Sequence, residues 1–261
     1  MFGLGVFCAM LLLAALGPML LPFRPQQDTG SVLRAPDVVH WMGTDHLGRD
    51  LLSRFAAGAR ISLLVGLSAA TISTLVGVLV GAIAGYAGGR IETVLMRFTD
   101  VVLTIPTLVL GIALAAFLGP SIVNIIVIIA LLSWPPIARL VRSEFLTIRE
   151  REYVRASVAM GSTTAWIIFR EILPNALPVV LVAWSYEVGR AIIVEAGLSF
   201  LGLGDVRAGS WGIMLNDAQP FLRQAWWMSV FAGLGIALSV LAANLVGEGL
   251  NDALNPKLRV R

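Results

Sequence analysis

Three ionisable residues, Glu187, Arg190 and Glu195, interrupt an otherwise apolar stretch of this 261-residue chain. At i and i+3, Glu187 and Arg190 share a helix face and can pair, with Glu195 further along. Charge inside a span is expensive and functional by default, either as a structural ion pair to a neighbouring helix or as the lining or gate of a water-filled path. Asp45, His46 and Asp50 form a second cluster, but one imidazole and two carboxylates in a turn-rich loop read as a hydrogen-bonded turn, not a metal centre. Both histidines, His40 and His46, lie in that loop, and the spans hold no Ser-His or paired-Asp arrangement for catalysis. A phosphate-cradling loop needs a lysine after a glycine-rich turn, and the only lysine, Lys257, lies in the C-terminal tail. The chain is therefore not read as an enzyme; it binds no cofactor of its own, and any ATP must be held by another polypeptide. The single cysteine, Cys8, excludes an internal disulfide framework or thiolate metal site.

The elements that must position these residues are membrane helices. The chain is 57% apolar and 13% charged, about half the charge of a soluble domain. Charged residues are absent from residues 1–23, 61–89, 101–138 and 224–247, each run long enough to cross a hydrocarbon core of roughly 30 Å. The first run lacks a basic leader and exceeds a signal-peptide core, which favours a retained span over cleavage near Ala14-Ala15. Gly119-Pro120 splits the third run into a hairpin. Six spans are expected: 1–23, about 61–87, 101–118, 121–138, 176–197 and 225–247. No soluble domain and no internal repeat is evident.

Six spans put both termini on one side with eleven basic residues, namely Arg90, Arg97, Arg139, Arg142, Arg149, Arg151, Arg155, Arg170, Lys257, Arg259 and Arg261. The other side holds seven, so both termini are expected in the cytoplasm. The net charge of +3 then sits in short membrane-surface loops, which argues against nucleic acid as a partner. The two large loops, 24–60 and 198–224, face out, and residues 139–175 face in. Gly77, Gly81, Gly85 and Gly89 recur every four residues, giving a buried face for close packing within the bundle or with another subunit. In the inner loop, residues 151–161 read as a short amphipathic helix stopped by a glycine, with Ser162 or Thr163 capping a second helix that ends at Leu173. The exposed helix, with Ala156 and Ser157 beside Tyr153, Val154, Val158 and Met160, can dock in a groove of a soluble partner or lie in the lipid interface.

In this loop Arg155-Ala156-Ser157, Gly161 and Glu171-Ile172-Leu173-Pro174 occupy the places of the EAA loop. The sequence thereby resembles the permease subunits of binding-protein-dependent ABC importers, with Arg155 for the usual glutamate and Glu171 for the usual isoleucine. The stretch from Gly43 to Arg54 (Gly43, Thr44, Asp45, Gly48, Arg49, Asp50 and Arg54 within it) is similar to the GTDxxGRDxxSR signature of the C-type subunit in the dipeptide, oligopeptide and nickel branch. The run from Glu195 to Gly204 and Ser210-Trp211-Gly212 look like the same subunit. The resemblance implies an all-α integral membrane protein of the type I ABC importer permease fold in a bacterial inner membrane. It also implies a B-type permease partner, ATPase subunits carrying ATP and Mg, and an extracytoplasmic solute-binding protein. The coupling set would be Arg151, Glu152, Tyr153, Val154, Arg155, Ala156, Ser157, Met160 and Gly161. Cargo stays open among dipeptides, longer peptides, metal chelates and tetrapyrroles. The alternative is a proton-coupled secondary carrier using Glu187, Arg190 and Glu195.

Overall fold

Asp50 starts the longest helix in the computed structural model, which describes residues 2–254. Its Oδ1 accepts from the Ser53 N–H at 2.8 Å and the Ser53 hydroxyl at 2.9 Å, capping α2 (Leu51–Ala87). The helix thus begins ten residues before the apolar run, and residues 51–60 are helix, not outer loop. Arg54 is tolerated in this first turn because Asp45 and Asp217 receive it. Preceding α2 is α1 (Phe2–Leu20), which lies against α2 where a methyl at Gly17 would meet Ala56 Cβ at 2.7 Å.

The expected span over residues 101–118 is corrected. At Ile105-Pro106 the chain turns by 81° between α3 (Gly89–Thr104) and α4 (Thr107–Leu118), because Pro106 lacks a donor and pushes Ile105 into an extended conformation. α4 is too short to span alone, and α3 is amphipathic, with Ile91, Val94, Phe98 and Val101 exposed. Gly119 at φ +80° ends α4, and the Asn124 amide donates to the Leu118 and Gly119 carbonyls across the turn.

α5 (Ile122–Arg149) continues past residue 138, since Arg139 and Arg142 bond to Asp100 and Glu92 on α3. α6 (Glu152–Ala159) follows, and Gly161 at φ +83° reverses the chain. Thr163 caps α7 (Thr164–Trp166), which runs through a π-helical stretch, Ile167–Ile172, into α8 (Leu173–Phe200). The helix therefore does not end at Leu173 and restart at 176. The widened turn lies directly before Pro174, which has no N–H to give, and the Asn175 amide donates to the Glu171 carbonyl at 2.6 Å. The loop expected over 198–224 contains α9 (Trp211–Ala218), capped by Ser210, and α10 (Trp226–Leu254) completes the bundle. Lys257, Arg259 and Arg261 lie outside the described residues.

Among the described residues, five helices are long and apolar enough to cross a membrane, and the bent α3–α4 pair makes a sixth when taken as one span. The central seam is α2 on α5. Methyls at Gly77, Gly81 and Gly85 would come within 2.5–2.9 Å of Ile137, the Ala138 carbonyl, Val141, Phe145 or the Arg142 carbonyl. Gly89 does not share this face: it opens α3 at φ +56° with nothing within 4 Å of an added methyl.

Candidate functional site

The chemistry-bearing residues gather at opposite ends of α2. At its start, Asp45 is fully buried and accepts from Arg49 Nε at 2.6 Å and Arg54 Nη1 at 2.6 Å. Arg54 Nη2 reaches Asp217 on α9 at 2.7 Å, so one carboxylate in the loop and one on α9 clamp the first turn of α2. Burial alone would raise the Asp45 carboxyl, but the Arg49 and Leu47 N–H groups and the two guanidiniums outweigh it and hold the group below the ordinary carboxylate range. His40 Nδ1 lies 2.9 Å from Asp50 Oδ2, and His46 stacks on Phe221. Gly43 and Gly48 hold φ +78° and +71°, where a methyl would strike the Arg34 carbonyl or Asp28. The Thr44 carbonyl accepts from Trp227 Nε1 of α10 at 3.1 Å. The residues from Gly43 to Arg54 thus form a plug that joins the loop, α2, α9 and α10.

Glu195 belongs to this end and not with Glu187 and Arg190. Its carboxylate accepts from Ser62 of α2 at 3.0 Å and Ser199 of α8 at 2.7 Å, beside Ser210, the cap of α9. Gly212 packs on Ala196 and Ser199, and Trp211 Nε1 donates to the Phe55 carbonyl at 3.0 Å. Glu187 and Arg190 form a separate, looser pair, with Glu187 Oε2 to Arg190 Nη1 at 3.7 Å. The three residues make no continuous relay.

At the far end of α2, α6 packs on the end of α5 and on the π stretch that leads into α8. Val154 is buried among Phe145 and Ile148 of α5, Ile167 and Ile172 of the π stretch and Ala176 of α8. Ser157 donates to the Glu171 carboxylate. Two members of the expected docking set are therefore corrected: Val154 and Ser157 turn inward, because the apolar stripe of so short a helix must be covered by its own chain. Tyr153, Val158 and Met160 remain exposed, with Arg151, Glu152, Arg155, Ala156 and Gly161 around them. Glu171, the departure from the usual isoleucine, is the acceptor that ties α6 to the root of α8.

Arginines secure the surroundings. Arg149 donates to the Tyr86 carbonyl at 2.8 Å and lies over the Tyr86 ring. Arg142 holds Glu92, Arg139 holds Asp100 at 2.5 Å, and Arg155 pairs with Glu150 at the surface. Sequence reasoning missed Asp217, Glu92, Asp100 and Glu171 as partners. The acidic residues of α3 carried a local signal, at i and i+8 on one face of a helix facing a basic segment.

Residues 77–260 match the family described as binding-protein-dependent transport system inner membrane component. The chain is 42% identical over 260 residues to a putative peptide permease protein of Brucella suis, covering 98% of this chain and 86% of that protein. It is 42% identical over 262 residues to the dipeptide transport system permease protein DppC of Bacillus subtilis, covering 99% of this chain and 82% of that one. The inward-facing MetNI methionine ABC transporter shares the fold, with a TM-score of 0.66 at 22% identity over 78% of this chain and 96% of that one. A plug that organises one end of the bundle and a short helix presented at the other fit the motifs that carried the resemblance. The chain belongs to the family of binding-protein-dependent transport system inner membrane components.

Proposed function

We propose that this chain is the C-type transmembrane subunit of an ATP-driven importer and forms half of a translocation path. A B-type permease would complete the path, ATPase subunits carrying ATP and Mg would dock beneath it, and an extracytoplasmic binding protein would deliver a peptide or similar small solute. The reading places both termini and α6 in the cytoplasm and the plug with α9 outside. Its relatives named as peptide and dipeptide permeases support the cargo class.

The observation that carries the proposal is the seating of α6. Its exposed face offers Tyr153, Val158 and Met160 to a partner, while Val154 is buried against α5 and the π stretch that leads into α8. A push on α6 from a closing ATPase dimer would reach α5 directly and α8 through the π stretch, tilting them and switching access between two packings. The carrier reading has no use for this helix, and its relay is broken where Glu195 is consumed by serine hydroxyls.

The test is uptake into proteoliposomes holding the assembled complex. ATP-dependent uptake that survives a protonophore is expected; uptake that persists without ATP and fails with protonophore would support the carrier. Gly161→Trp should leave the protein in the membrane but lower uptake per ATP hydrolysed, because any side chain at φ +83° strains the turn that aims α6.

A further inference from the structure

Arg190 stands apart from the other basic residues of the described chain. It lies ten residues from the Phe200 end of α8, about 15 Å of helix, at a depth where lipid supplies no hydrogen-bond acceptor. Its side chain is 41% exposed. The Glu187 contact of 3.7 Å is longer than a hydrogen bond, and the guanidinium makes none within the described residues. Five N–H donors are thus left for water or for an acceptor that arrives from outside the chain.

The surface around Arg190 is open in one direction. Tyr186, Arg190, Ile193 and Gly197 follow one another along a single face of α8, and a methyl at Gly197 would meet nothing within 4 Å. Next to this face, Ile193, Val240, Leu241 and Asn244 line an open groove of about 460 Å³. Glu187 is buried on the other flank with Oε1 unpartnered. It steadies the guanidinium by charge without occupying its donors. A guanidinium with this exposure cannot face hydrocarbon, and an aqueous passage with apolar walls satisfies both the charge and its surroundings.

We propose that Arg190 lines the translocation path and receives the carboxylate of the passing solute. The inference rests on the importer reading and adds the chemistry of recognition inside the membrane: an anionic group, which for a peptide is the C-terminal carboxylate. Arg190 is the specificity element of the path, and Glu187 is its positioning residue.

The experiment uses the assembled complex in membrane vesicles, with Cys8→Ser removing the only thiol of this chain and the variant without Ile193→Cys giving the background from its partners. Ile193→Cys is then treated with an anionic and a cationic methanethiosulfonate reagent, both water-soluble. Position 193 should react, and the anionic reagent should be favoured over the cationic one by about tenfold relative to free cysteine, the low end of focusing by a charged cleft. Arg190→Gln should abolish that preference, Arg190→Lys should keep it, and buried Ala191→Cys should stay unreactive. No reaction at 193, or a reagent preference that Arg190→Gln leaves unchanged, overturns the proposal. The importer reading fails on a different observable, the absence of an ATPase from the same complex.

Discussion

The two ends of the bundle are held by different physics. At the plug end, Asp45, Arg54, Asp217, Glu195 and Ser62 form short directional bonds among buried and half-buried groups. At the α6 end, α6 is seated by apolar contact around Val154, and its nearby ion pairs are solvent-exposed, as with Arg155 and Glu150. Desolvated charge pairs are costly to break and fix one geometry. Apolar contact is non-directional and tolerates sliding, and exposed pairs contribute little. The contrast makes the plug end a fixed clamp and fits the proposal that movement enters at the α6 end.

The largest effect should come from the clamp. Asp45→Ala removes the buried acceptor that Arg49 and Arg54 share, leaving Asp217 alone to face both guanidiniums, and should lower stability by about 3 kcal/mol, read by thermal unfolding in detergent. A small loss there would break the comparison. Acid sharpens it: the folded Asp45 carboxyl titrates below its unfolded value of roughly 3.9, so its contribution is full above that value. The contribution is lost as pH falls through the folded pKa, and Asp45→Asn should remove that part of the acid dependence.

Next is the seat of α6. Val154→Ala removes two buried methyl-sized groups and should cost about 1–2 kcal/mol, with a disproportionate fall in uptake per ATP hydrolysed. Smaller still, Ser157→Ala leaves Glu171 without its donor and should cost about 1 kcal/mol. Glu150→Gln, at the exposed surface, should leave the unfolding temperature unchanged.

Much of this was legible in the sequence, and the remainder follows a pattern. Charge-free runs located most of the membrane helices, and the signature from Gly43 to Arg54 marked the stretch that forms the plug, where Asp45, Arg49, Asp50 and Ser53 make a local turn, ion pair and cap. Asp217 was hidden because it lies 163 residues from Arg54. The break at Pro106 was masked by the uniform hydrophobicity of residues 101–138, and Pro174 misled because a π turn absorbs its missing donor. Arginines that read as membrane-surface charge turned out to hold α3 and α2, a role that depends on packing and not on composition. Glu195 shared a helix with Arg190, yet the serines of α2 and α8 claimed it.

The central claim is that a push on α6 works one half of a shared path. It is tested most directly by purifying the tagged chain from its native membrane in mild detergent and identifying what remains bound by mass spectrometry. A homologous permease and a nucleotide-binding ATPase in stoichiometric amounts, with the ATPase lost from a Met160→Asp variant, is the predicted result. A lone chain or a homo-oligomer without an ATPase would contradict it.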